Sequence, residues 1–112
     1  MSHWYDLGDV QSIPEGRLHS VRCAGRDWVI VKHGEELRCF LDRCSHQDIK
    51  LSEFGHLDGG TILCFAHGAR FCDRTGVALC WPAEDPLTLA SVRVESGRVL
   101  LLPPADDEES QT

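Results

Sequence analysis

Apolar residues in this chain fall in short blocks separated by turns that carry glycine. Ser91-Val92-Arg93-Val94-Glu95 alternates polar and apolar, Ser96-Gly97 supplies a turn, and Arg98 to Leu102 returns. A period of two on both sides of a two-residue turn predicts a β-hairpin with one buried face. Asp27-Trp28-Val29-Ile30-Val31-Lys32 is rich in β-branched and aromatic residues and lies between Gly25 and Gly34, with Leu37 to Leu41 placed to pair back on it. Thr61-Ile62-Leu63 and Ala69-Arg70-Phe71 are shorter strand candidates. No window of about 11–18 residues keeps a helical period, and Asp48 to Phe54 has room for a short turn at most. No internal repeat is present. The expected class is all-β.

Pro103-Pro104 ends the last apolar block, and residues 103–112 read as an acidic flexible tail beyond one domain at 1–102. A chain of 112 residues has room for little more than one domain. The formal net charge is −7, and four of those charges come from Asp106, Asp107, Glu108 and Glu109. A balance of this sign argues against nucleic acid as a partner. The first residues show no basic start and no apolar core of a signal peptide. The longest apolar runs, Trp28 to Val31 and Val99 to Leu102, are far short of the ~18 residues that span a bilayer. A cytoplasmic protein with reduced cysteines is expected, and no membrane partner. Neither a G-x-G-x-x-G, nor a Walker A sequence, nor a G-x-S-x-G elbow occurs. A chain this short has no substrate cavity to spare, so catalysis of its own is not expected.

Six cysteines and six histidines change the picture. Cys44-Ser45-His46 is followed, after 17 residues, by Cys64-Phe65-Ala66-His67. Each segment offers one thiolate and one imidazole on a loop leaving a predicted strand, and together they make a Cys₂His₂ set. Such a set can hold zinc tetrahedrally, but finger-type zinc sites group a cysteine pair and then a histidine pair. Interleaved sulfur and nitrogen suit a dinuclear centre, with both sulfurs on one iron and both nitrogens on the other.

With its accompanying residues the chain resembles the Rieske ferredoxin family. Asp58-Gly59-Gly60, Gly68 directly after His67, Phe71, Thr75-Gly76 and Trp81-Pro82-Ala83 stand where that family's pattern puts similar residues, over roughly residues 15 to 102. The likeness is greatest to the small soluble ferredoxins of bacterial aromatic-ring dioxygenases. It implies a Rieske fold, in which an antiparallel sandwich or barrel-like base carries a cluster-binding subdomain of two loops, here about 42–83. It also implies one [2Fe–2S] cluster, with Cys44 and Cys64 on the buried iron and His46 and His67 on the outer one. The implied role is a monomeric one-electron carrier from a flavin-dependent NAD(P)H reductase to a terminal ring-hydroxylating oxygenase. Two histidines in place of thiolates raise the potential to about −150 to +300 mV, against about −400 mV for all-cysteine plant-type clusters. High-potential relatives add a disulfide between the loops and hydroxyl donors, where this chain has Ile49, Ala66, Ala69 and Phe71. Their loss places the expected potential near or below the bottom of that range. The alternatives are a small Rieske subunit of a larger redox enzyme of the nitrite-reductase type, and a zinc-binding interaction module.

The remaining candidates have plainer readings. Cys23 and Cys39 are expected in the core, and Cys72 and Cys80 to pack behind the ligand loops. His3, His19, His33 and His56 have no partner spacing and are expected at the surface, with His56 near the first loop. Trp81-Pro82-Ala83 resembles the family's proline loop, which covers the cluster from a third side, and Gln47 is placed to shape a docking tip.

Overall fold

Ten strands, one helical turn and a 3₁₀ turn make up the regular structure in a computed structural model that describes residues 3–44, 49–65, 68–80 and 85–104. The strands are β1 (Tyr5–Asp9), β2 (His19–Cys23), β3 (Arg26–His33), β4 (Glu36–Leu41), β5 (Gly55–Asp58), β6 (Thr61–Cys64), β7 (Ala69–Cys72), β8 (Ala78–Cys80), β9 (Leu89–Glu95) and β10 (Arg98–Leu102). A single turn of helix, α1 (Leu51–Phe54), precedes β5, and the 3₁₀ turn is Val10–Ser12. They form a six-stranded sheet in the order β1-β10-β9-β4-β3-β2 and a four-stranded sheet in the order β5-β6-β7-β8. Every pairing is antiparallel. The first and last strands of the larger sheet touch, so it nearly closes on itself. The all-β expectation is correct. Among the described residues, no helix is long and apolar enough to cross a membrane.

The expected hairpins are present. β9 and β10 pair Glu95 with Arg98 and Val94 with Val99 around Ser96-Gly97. Both turn residues have positive φ, 51° and 75°, the backbone of a turn whose twist matches the flanking strands. Ala24-Gly25 repeats this geometry between β2 and β3. Four strands carry too little pattern to be read from the sequence alone. β1 runs through Gly8, and β5 and β8 are edge strands of four and three residues. β2 is polar at most positions and was marked only through Cys23.

Alternation along β3 divides its side chains between two cores. Trp28 and Ile30 join Cys39, Leu37, Val99 and Leu101 inside the larger sheet. Val29 and Val31 face the other way, with Phe40, and meet Ile62, Phe71, Leu51 and Leu87 from the second sheet side. Burial on both faces explains why residues 28–31 form a continuous apolar run rather than an alternating one. Fully buried Trp28 still pairs its indole N–H, which donates to the Cys23 carbonyl at 3.1 Å.

Polar contacts also tie the sheets together. His33 Nε2, at the end of β3, lies 2.8 Å from Asp73 Oδ2 in the β7–β8 turn, and the Asp73 side chain is almost wholly buried. The expectation of His33 as an unpartnered surface residue is corrected here, since its partner is 40 positions away in sequence. Arg74 of the same turn reaches Glu36 of β4 at 3.5 Å. Gly76 completes the junction. Its φ is +80°, and a Cβ there would meet both the Leu87 carbonyl and Phe40 Cε1 at 3.1 Å, so the close approach needs glycine.

His33→Ala removes the imidazole facing a buried carboxylate. A loss of about 1–3 kcal/mol is expected, seen as a lower Tm in thermal unfolding. His33→Gln, which keeps a donor, should recover part of the loss, and an unchanged Tm in the alanine variant would contradict the assignment.

Candidate metal centre

Cys44 follows β4 after Asp42-Arg43, and Cys64 is the last residue of β6. Each thiol is 1% exposed, and both belong to the core that the two sheets share. Each also stands at the neck of a loop. The Cys44 amide donates to the Ile49 carbonyl at 2.9 Å, closing 44–49, and the Gly68 amide donates to the Cys64 carbonyl at 2.9 Å, closing 64–68. His46 and His67, together with Gln47 and Ala66, lie outside the described residues, as do Trp81-Pro82-Ala83 and the tail from 105 onward.

The two necks are latched to each other through α1. Asp42 is buried, and its carboxylate accepts from the Ser52 amide at 2.7 Å and the Ser52 hydroxyl at 2.6 Å. That pair bridges the first loop from one arm to the other. At the far end of α1 the Phe54 carbonyl accepts the Phe65 amide at 2.7 Å, which binds the second loop to the same helical turn. Asp42 and Ser52 were missed by sequence reasoning. Nothing in local pattern marks a carboxylate ten positions from its serine.

The other sequence candidates divide. Cys23 and Cys39 are buried, as expected, and burial pushes both thiols up, Cys39 further because it is the more deeply buried, with a smaller contribution from neighbouring Cys23. Cys72 and Cys80, expected behind the ligand loops, lie on β7 and β8. Leu57, Ile62, Cys64, Phe71 and Ala78 face the core from the second sheet. The alternate positions His56, Leu63, Arg70 and Cys80 stand in one cross-strand row on its outer face. Cys80 is exposed there, its thiol 3.7 Å from the Gly68 carbonyl. Cys72 is half-buried. The Thr75 hydroxyl, followed by the Arg74 and Thr75 amides, lowers its pKa. His56 lies on β5 with its ring 5.9 Å from that of Phe65, which places it beside the second loop. Phe65 and Phe54 are both exposed beside it.

Two soft sulfur donors, buried at the necks of two latched loops, fit iron or zinc and not the hard, oxygen-loving cations. A small β protein that buries one thiol at the neck of each of two latched loops offers soft donors of the kind that iron–sulfur and zinc centres use. Comparison with known proteins decides between these: residues 3–98 match the Rieske [2Fe-2S] domain, and the chain belongs to that family. Its cofactor is therefore a Rieske-type [2Fe–2S] cluster.

Among relatives, the 3-phenylpropionate/cinnamic acid dioxygenase ferredoxin subunit of Escherichia coli (strain K12) is 49% identical over 69 residues, which is 61% of this chain and 64% of that one. The chain thus spans a little under two thirds of that relative's length. The protein of the same name from Photorhabdus laumondii is 39% identical over 93 residues, covering 82% of this chain and 87% of its own. A chain from the complex of reduced oxygenase and oxidized ferredoxin in carbazole 1,9a-dioxygenase superposes with a TM-score of 0.79 at 29% identity, covering 88% of this chain and 92% of that one.

The thiols should separate by reactivity. In the folded protein iodoacetamide should label Cys72 and Cys80 and leave Cys23 and Cys39 unlabelled, as read by peptide mass mapping. Thiolate is the reactive form, so the lowered pKa of Cys72 should keep its labelling going below the usual thiol range near pH ~8.5. Labelling of Cys39 as fast as Cys72 would contradict the burial assigned to it.

Proposed function

We propose that this chain is a one-electron carrier, accepting an electron from an NAD(P)H-dependent flavin reductase and passing it to a terminal ring-hydroxylating oxygenase. The observation that carries the reading is the pair of buried thiols at two latched loop necks, Cys44 and Cys64. In this reading the two sulfurs bind one iron and His46 and His67 bind the other. When bound, the cluster supplies one-electron redox chemistry at a potential that its imidazole ligands raise above that of all-cysteine clusters.

The chain's own residues do the rest. Burial of Cys44 and Cys64 keeps water from the sulfurs, and the Asp42–Ser52 and Phe54–Phe65 hydrogen bonds hold the loops at a fixed separation. Little reorganisation is then needed when the charge changes by one. In this reading His46 and His67 would hold the second iron, and an imidazole in that place would supply a group able to take a proton near neutral pH.

The names of relatives support the carrier role. They are named as ferredoxin subunits of a dioxygenase. A ferredoxin–oxygenase complex with the same fold supports an oxygenase as one partner. We read the chain as monomeric, cytoplasmic and without catalysis of its own.

The purified protein should be coloured and hold two irons, and dithionite titration should find one electron per chain. Cys64→Ser and His67→Ala should each lose the bound iron and the visible absorption. Full iron content in either variant would overturn the ligand assignment, and a colourless protein with one zinc would favour an interaction module. Film voltammetry should give a potential near or below about −150 mV, because Ala69 and Phe71 carry no hydroxyl; a value well above about +100 mV would contradict this.

A further inference from the structure

Asp42 closes the first loop, but its charge has a second consequence. The residue is 5% exposed. It stands two positions before Cys44, so the two Cα atoms lie no more than about 7.6 Å apart. Its Oδ1 accepts from the Ser52 amide at 2.7 Å and its Oδ2 from the Ser52 hydroxyl at 2.6 Å. The second distance falls in the range of a hydroxyl donating to an ionised carboxylate. Among the described residues, Asp73 is the other buried carboxylate, and it faces the His33 imidazole at the far end of the second sheet. The donors of Ser52 carry no charge.

Other ionisable groups stand around the same neck, and depth separates them from Asp42. Arg22 is 69% exposed and Lys50 44%, and each pairs with Asp27 at 3.1 Å. Arg43 and Glu53 are exposed as well. Water and salt weaken the field of exposed charges, whereas a buried one acts through an effective dielectric of about 20 instead of about 80. Beside Asp42 in the chain, Leu41 and Cys44 are both buried. The charge nearest the first thiol in this poorly screened region is therefore negative.

We propose that Asp42 is a potential-setting residue, whose buried charge lowers the reduction potential of the cluster held through Cys44. When one electron passes from the reductase to that centre, the Asp42 carboxylate opposes the added negative charge. No bond forms or breaks at Asp42 in this step. Ser52 grades the effect, since its two donors draw off part of the carboxylate's field. The inference rests on Cys44 as a cluster ligand. It adds charge to the missing hydroxyls at Ala69 and Phe71 as a cause of low potential.

Film voltammetry of the holoprotein tests this, with iron content and Tm measured alongside. Asp42→Asn keeps an oxygen for the Ser52 amide and removes the charge. At a fixed electrode potential its ratio of reduced to oxidised protein should rise about tenfold, a shift of about +59 mV for one electron. Ser52→Ala keeps the charge and removes one of its donors, so the same ratio should fall about twofold. A part that merely held the loop would give no such opposite signs. The Asp42→Asn shift should also persist in ~1 M salt, which screens exposed charges beyond about 3 Å. An unchanged or lowered potential in Asp42→Asn, its loss of the shift in salt, or an unchanged or raised potential in Ser52→Ala would overturn the proposal. Should Asp42→Asn hold no iron, the sign in Ser52→Ala decides. Full iron content in Cys44→Ser would instead refute the ligand reading, and the proposal with it.

Discussion

The structure depends on the burial of β3 and β4 on both faces. Trp28, Ile30 and Cys39 fill the interior of the nearly closed sheet, while Val29, Val31 and Phe40 present an apolar surface to the second sheet. Ile62, Phe71 and Leu87 pack on that surface, and Cys44 and Cys64 lie within the same core. Six large apolar side chains removed from water at about 1.5–3 kcal/mol each are enough to outweigh any single polar contact in the junction. The thiols are thus positioned by hydrophobic packing before any metal is considered.

Hydrogen bonds then supply direction, which packing cannot. Asp42 reaches across the first loop to Ser52, and Phe54 holds Phe65, so that one helical turn sets the spacing of both loops. The His33–Asp73 pair and the Gly76 approach do the same at the opposite end of the second sheet. Among the described residues, the buried carboxylates Asp42 and Asp73 both have a partner, as the cost of burying charge requires. A carrier gains from this arrangement because a rigid surround leaves little to rearrange when one electron arrives. In the proposed carrier role the junction would serve stability and electron transfer together.

Much of this was legible in the chain. Alternation over 91–102 and the run at 27–32 were read correctly because a buried sheet face imposes its period on the sequence. C-x-H and C-x-x-H were legible because the chemistry fixes both residue type and spacing, and the family match agrees with the resemblance. What escaped was set by tertiary contact. β5 and β8 are short edge strands and carry little pattern of their own. The pairs Asp42–Ser52 and His33–Asp73 join residues that no local rule connects. Cys80 was expected to pack behind the ligand loops. An irregularity between β7 and β8 changes the register there, and Cys80 pairs with Arg70 on the outer face.

The central claim is that two thiolates and two imidazoles share one dinuclear iron centre. Pulsed electron–nuclear double resonance on the dithionite-reduced protein tests it most directly, since it counts the nitrogen nuclei coupled to the unpaired spin. The account predicts strong couplings from two ¹⁴N ligands, with loss of the centre in His46→Ala and in His67→Ala. A reduced centre without strong nitrogen coupling, or one that survives in both histidine variants, would contradict it.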